Sequence, residues 1–321
     1  MNKLINLNFF SIFFIIIPLT LSSILTNTAY IQILFVYAQT NANLIATSTY
    51  ITDNSINNDN NIMGFNNNHN NKSVISNLNS LVGDLQINTH VKYFDNASGY
   101  LVYPSNATVG TTPKKLPGII MIHEWWGLND NIKTMANILA KQAGYVVLAV
   151  DLFEGQSTKD QNQAMQLVTS VINNPQQSIS NLQSAVKYLD SLSFVDKSKI
   201  ASIGWCFGGG QSLQLALHSE QHPLAGTVLY YGTPLVTDKQ DLSKIKWPLL
   251  GIFGDKDQNI PLSQINSFKF VLDSLGIKNQ IFVYKGLGHA FANPSGPNYA
   301  PQQTTDAWEK TLTFFRNIFD K

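Results

Sequence analysis

From residue 83 onward, short runs of consecutive apolar residues alternate with stretches in which apolar residues recur every three or four positions. The runs are GIIMI (118–122), YVVLAV (145–150), KIASIG (199–204), GTVLYYG (226–232), PLLGIF (248–253) and QIFVYK (280–285). They lack the polar alternation of a half-exposed strand, as expected of strands buried on both faces of a parallel sheet. The helical patterns between them fall near 130–143, 159–172, 177–192, 207–219, 262–275 and 303–319. Ahead of this series, LQINTHVKYF and GYLVYP are separated by DNAS and read as a β-hairpin. Strands alternating with helices predict a three-layer α/β domain over residues 83–321, with a mostly parallel central sheet, flanking helices and an N-terminal hairpin. No internal repeat is visible.

The first 82 residues follow other patterns. A weakly basic start leads into the apolar FFSIFFIIIPLTLSSIL (9–25), then YIQILFVYA (30–38). Two readings fit residues 1–38. They are a signal peptide cleaved after Ala38, or an uncleaved anchor that tethers the chain to a membrane through residues 9–38. Both carry the remainder out of the cytoplasm, secreted or membrane-anchored. Residues 39–82 are rich in asparagine, with 12 in residues 51–80 alone. Such a segment buries too little apolar surface to offset the entropy of ordering, and reads as a disordered linker. Asn71, Asn96 and Asn106 begin glycosylation sequons.

Composition narrows the function. A net charge of +1 with 13% charged residues argues against nucleic acid as a partner. Of the 21 basic residues only Arg316 is an arginine, and there is one cysteine, Cys206, so no disulfide forms within the chain. Hydrophobic residues make up 44%, enough for a sizeable core. A monomer without metal or organic cofactor is expected. His218 and His222 share a helix face but have no evident third ligand. The glycine-rich turn at 204–210 lacks the spacing and the acidic residue of a dinucleotide loop.

In open α/β sheets ligands bind beyond the C-terminal ends of the strands, so the residues after each run matter most. Gly204-x-Cys206-x-Gly208 matches a nucleophile elbow, a sharp strand-to-helix turn, with cysteine in the serine position. The turn sets the thiol at a helix N-terminus and aims the Phe207 backbone N–H where an oxyanion would form. Asp257 in GDKDQNIP and His289 in GLGHAF follow in the order nucleophile, acid, histidine. Asp255 competes with Asp257 for the acid role. Asp257 is preferred because it leaves a turn before Pro261, where the next helix begins. Glu124, directly after an apolar strand and among aromatic residues, should be desolvated and able to accept a proton. His123 reads as a packed strand-end residue.

The blocks HEWWGLND, GYVVLAVDLF, GWCFGGG, GDKDQNIP and GHAFANP, in this order over residues 83–321, resemble the dienelactone hydrolase family. The resemblance implies an α/β-hydrolase fold and a triad of Cys206, Asp257 and His289. It further implies that Glu124 contacts the thiol and helps take its proton when substrate arrives, and that the Trp125 N–H joins that of Phe207 in an oxyanion hole. The reaction implied is cleavage of lactones or small carboxylic esters through a thioester acyl-enzyme. One departure stands out. The family's namesake enzymes grip the substrate carboxylate with arginines, one shortly after the catalytic histidine, where this chain has Asn293. Without that fork, Trp126, Tyr231, Phe291 and Asn293 are the expected substrate-pocket residues. A second class of function, a tethered binding module that keeps the fold without turnover, predicts an unreactive Cys206.

Overall fold

The computed structural model describes residues 84–108 and 115–320. The expected signal or anchor segment (1–38), the linker (39–82) and the Asn71 sequon lie outside the described residues.

The hairpin forms as read, from β1 (Leu85–Phe94) and β2 (Ala97–Pro104), antiparallel. Its turn is shorter than DNAS suggests. Strand pairing resumes at Ala97, because Asp95 takes up a left-handed backbone at φ 29° and reverses the chain with Asn96 alone. The other strands are β3 (Leu116–Ile122), β4 (Val146–Val150), β5 (Val195–Trp205), β6 (Gly226–Tyr230), β7 (Leu249–Gly254) and β8 (Asn279–Tyr284). One sheet holds all eight described strands in the order β1-β2-β4-β3-β5-β6-β7-β8. The hairpin joins through an antiparallel β2–β4 pairing, and from β4 to β8 the neighbours are parallel.

Every residue of β4, β6 and β7 is buried, which accounts for their unbroken apolar runs. The edge strand β8 is only partly covered. The helices are α1 (Asp130–Ala143), α2 (Gln161–Asn173), α3 (Pro175–Ser191), α4 (Phe207–Leu217), α5 (Lys239–Leu242), α6 (Leu262–Ser274) and α7 (Pro301–Phe319). The Asn129 side chain caps α1 by accepting from the Ile132 N–H at 3.2 Å, and Gly144 closes it in a left-handed conformation. Helices α3 and α7 start at Pro175 and Pro301, two residues earlier than periodicity alone predicts, since proline suits the first helical turn. The four-residue α5 is too short for periodicity to find.

Both faces of the sheet are covered. On one, α7 lies beside α1, where Trp308 Nε1 donates to Gln142 Oε1 at 2.9 Å and the Phe315 and Phe319 rings meet Tyr145 edge-on. Elsewhere α3 and α4 pack together and onto β5, and Gln183 Nε2 donates to the His218 carbonyl at 2.7 Å. Burying each large apolar side chain of these interfaces contributes about 1.5–3 kcal/mol, and the core runs without a break through every layer. Its parallel strands all end on one rim, and the residues beyond those ends build the site.

Candidate active site

Cys206 sits between β5 and α4 with φ 56° and ψ −122°, a backbone conformation that a side-chain-bearing residue adopts only under constraint. The constraint is visible. The Cys206 N–H donates to the Tyr230 carbonyl at 3.0 Å, and its own carbonyl accepts from the N–H groups of Gly210 (3.1 Å) and Thr233 (3.3 Å). The glycines two positions either side are sterically required. A Cβ on Gly204 would lie 2.1 Å from the Gly208 oxygen, and one on Gly208 would lie 2.4 Å from the carbonyls of Ile122 and His123.

His289 lies in the loop after β8 and touches both expected partners. Its Nε2 is 3.1 Å from Cys206 Sγ, and its Nδ1 is 2.7 Å from Asp257 Oδ2. Asp257 is buried, and its second oxygen accepts from the Asn259 N–H at 2.8 Å. Asp255 points elsewhere, bonding the Gly286 N–H at 2.6 Å, so of the two aspartates only Asp257 meets the histidine. Asn298 Nδ2 donates to the His289 carbonyl at 2.9 Å and steadies the loop. Each member thus comes from a different strand end, and the sheet brings together residues 83 positions apart.

The thiol is held neutral. Cys206 as a residue is partly exposed, yet desolvation of its sulfur, with the charges of Glu124 and Asp257 nearby, pushes the thiol up to about 12. The backbone N–H groups of Phe207 and Trp125 act in the other direction and favour the thiolate. These are the two amides expected to form an oxyanion hole.

Glu124 follows β3 and is 3% exposed. Burial raises its carboxyl from the ordinary 4.5 to about 7, opposed by a hydrogen bond from Asn293 Nδ2 to Oε2 at 2.6 Å. Asn293 is itself buried, and its carbonyl oxygen accepts from the Ser295 N–H at 2.8 Å, which fixes the amide's direction. The residue expected to face substrate therefore faces Glu124. His123, the strand-end residue, is buried with Nδ1 2.6 Å from the Glu124 carbonyl, and its Nε2 accepts from the Leu152 N–H at 3.1 Å. Desolvation lowers its pKa, and it braces the backbone that carries Glu124.

The remaining expected pocket residues divide. Trp125 and Trp126 are half-buried, their ring centroids 4.5 Å apart, in the loop that follows Glu124. Tyr231 and Phe291 are fully buried and do not line an open pocket. Tyr231 instead meets the His289 ring edge-on at 5.2 Å and the Phe291 ring at 5.6 Å, so this pair walls the histidine from the core side. Sequence reasoning did not find the Asn293–Glu124 bond, nor that Tyr231 has a positive φ of 39°. Among the described residues no group of three or more acidic, histidine or cysteine side chains could hold a metal, and no helix is long and apolar enough to cross a membrane.

Comparison with known proteins gives a consistent picture. The family model described as "Dienelactone hydrolase family" matches residues 98–319. Protein usf of Aquifex pyrophilus is 31% identical over 207 residues, covering 62% of this chain and 87% of that protein. A Saccharolobus solfataricus protein, provisionally named a carboxymethylenebutenolidase, is 30% identical over 243 residues, covering 62% of this chain and 89% of its own. Among solved structures, a dienelactone hydrolase-like promiscuous phosphotriesterase from metagenomic libraries superposes with a TM-score of 0.65 at 23% identity, covering 74% of this chain and 99% of that one. At that identity the likeness is one of fold, the α/β-hydrolase fold.

Proposed function

Because the chain belongs to the dienelactone hydrolase family, we propose that it hydrolyses lactones or small carboxylic esters, with Cys206 as nucleophile and a thioester acyl-enzyme as intermediate. The observation that carries this reading is the continuous relay Cys206 Sγ–His289–Asp257, at 3.1 Å and 2.7 Å, behind a sulfur on a strained strand-to-helix turn.

At a pKa of about 12 the thiol is not ionised in the resting protein, so its proton must leave as the carbon–sulfur bond forms. His289 Nε2 accepts that proton, and Asp257 stabilises the imidazolium. The sulfur adds to the carbonyl, and the developing oxyanion takes hydrogen bonds from the Trp125 and Phe207 N–H groups. Collapse expels the alkoxide, which receives the proton held by His289; from a lactone the alcohol stays attached to the acyl group. His289 then deprotonates water, which attacks the thioester. The second collapse returns the sulfur, which recovers its proton. Ionised Glu124 is an auxiliary acceptor for the thiol proton, a role its family resemblance implies and its position in the field of the sulfur supports.

Asn293 is neutral and occupied by Glu124, and no arginine precedes Arg316. The acyl and alcohol parts of the substrate are accordingly uncharged, held by the Trp125 and Trp126 rings. An amide is a poor substrate, since thiolate departs from a tetrahedral intermediate more readily than an amine anion. Export through residues 1–38 and action as a monomer belong to the same proposal.

The test is a panel of neutral esters, lactones and their carboxylate-bearing analogues, run on the full-length protein beside Cys206→Ala. Turnover of neutral members, lost in the variant, is the expected result. Equal turnover by wild type and Cys206→Ala would sink the mechanism. A wild type that is inert to every substrate, and slow to label with iodoacetamide, would favour a binding module.

A further inference from the structure

His123 follows β3 and is completely buried, and no step of the proposed reaction uses it. Both of its ring nitrogens are engaged. Nε2 accepts from the Leu152 N–H at 3.1 Å, so the ring proton sits on Nδ1. The Nδ1–H group donates to the Glu124 carbonyl at 2.6 Å. Desolvation favours the neutral ring that this arrangement needs. The Phe153 and Phe207 ring centroids lie 4.6 Å and 6.0 Å from that of the imidazole, so packing holds the ring in place.

The Glu124 carbonyl and the Trp125 N–H belong to one planar peptide unit, and in a trans peptide the two point in opposite directions. Fixing the oxygen therefore fixes the direction of the N–H. The Gly127 N–H supplies a second, longer bond to the same oxygen at 3.2 Å. The far end of the imidazole is anchored as well. Leu152 opens a loop whose turn is held by Asp151, its side-chain oxygens accepting from the N–H groups of Phe153 (2.9 Å) and Gly155. The Asp151 carbonyl accepts from the Tyr93 hydroxyl at 3.1 Å and from Asn181 Nδ2 at 3.0 Å. The imidazole thus ties the peptide beyond β3 to a loop braced by β1 and α3.

The geometry points to His123 as a positioning residue for the Trp125 amide: by donating to the Glu124 carbonyl, its imidazole holds the shared peptide so that the Trp125 N–H faces the oxyanion formed at Cys206. The role rests on the reading of Trp125 as an oxyanion donor given above. A hydrogen bond to a peptide oxygen also polarises the peptide, so the N–H at its other end becomes a better donor. No proton is transferred by His123, and the base of the reaction stays His289.

Three variants of the full-length protein separate the two ends of the ring. In His123→Asn the side-chain amide nitrogen takes the place of Nδ1 and keeps the bond to Glu124. In His123→Gln the amide oxygen takes the place of Nε2 and keeps only the bond from Leu152. His123→Phe keeps the ring packing and neither bond. For a neutral ester, kcat should fall about 10²-fold in His123→Gln and His123→Phe with KM within about threefold of wild type, because an oxyanion donor is engaged in the transition state. His123→Asn should stay within about tenfold of wild type. A loss in His123→Asn as large as in His123→Phe, or a raised KM at unchanged kcat, would overturn the positioning role. Should His123→Phe fail to fold, the contrast between His123→Asn and His123→Gln decides alone. Labelling of Cys206 by iodoacetamide at about pH 9 needs no ester. The Trp125 amide favours the thiolate, so His123→Gln and His123→Phe should label about tenfold more slowly than wild type and His123→Asn. Equal labelling rates in all four proteins would also overturn the proposal. If wild type hydrolyses no ester, the proposed function fails on its own, and the labelling rates still decide the role of His123.

Discussion

Two arms bear on the same sulfur, one by contact and one by its charge, and they are built on opposite principles. The His289–Asp257 arm joins an imidazole Nδ1 to a carboxyl oxygen at 2.7 Å, with both Asp257 oxygens bonded. The Glu124–Asn293 arm buries a carboxyl against a neutral amide, and burial outweighs that one bond, so the carboxyl rises to about 7. The first arm is settled by its hydrogen bonds, each Asp257 oxygen having a partner, whereas burial leaves the second poised to change charge near pH 7. Burial beside a single neutral donor leaves a carboxyl responsive to pH.

Deleting the settled arm should have the largest effect. His289→Ala should lower kcat for a neutral ester about 10⁴-fold, and Asp257→Asn about as much, by analogy with other triads. Single-turnover measurement of thioester formation checks this, and a loss under tenfold would show that His289 is not the base. The scaffold shared by both arms comes next. Gly208→Ala forces a Cβ into the carbonyls of Ile122 and His123 and should cost about 3 kcal/mol or more, read by denaturant unfolding.

The responsive arm predicts a stability signature of definite sign. Between the ordinary carboxyl value of 4.5 and about 7, folded Glu124 keeps its proton while the unfolded chain has lost it. Wild-type stability should therefore fall as pH rises through this window, by at most about 3 kcal/mol at this group. Glu124→Gln removes the loss, so it should match wild type near pH 4.5 and exceed it at pH 8. A parallel pair of stability curves would contradict the burial argument. The smallest effect is expected from Asn293→Ala. Removing the donor should raise Glu124 further and shift its activity limb up by about one pH unit, with a cost of about 1–2 kcal/mol.

The settled arm was largely legible in the sequence, because its chemistry needs particular residue types at strand ends in a particular order. GWCFGGG, GDKDQNIP and GHAF point to Cys206, Asp257 and His289, the three side chains that the structure brings into one hydrogen-bonded chain. The choice of Asp257 over Asp255 also followed from local reasoning, the turn before Pro261. The responsive arm was half legible. Glu124 was exposed by its place after an apolar strand, but its partner lies 169 residues away, and no spacing rule connects Glu124 to Asn293. Tyr231 and Phe291 show the same limit. An aromatic residue after a strand looks alike whether it lines a pocket or backs a histidine, and only the surrounding packing distinguishes the two. The hairpin turn and helix α5 depend on one residue's backbone or a single turn, below the length at which periodicity is a signal.

The contacts that seat Cys206 are made by backbone atoms. They are the Tyr230 carbonyl, the Gly210 and Thr233 amides, and the carbonyls of Ile122 and His123 against Gly208. Main chain is common to every amino acid, so substitutions in the loop that follows Glu124 leave the sulfur where it is. Trp125 and Trp126 can thus be exchanged for other side chains while the sulfur and the two amides that favour its thiolate keep their places. Under the proposed function, the reacting groups are insulated from the side chains that would select the ester, and a lineage or an engineer could vary the second without rebuilding the first.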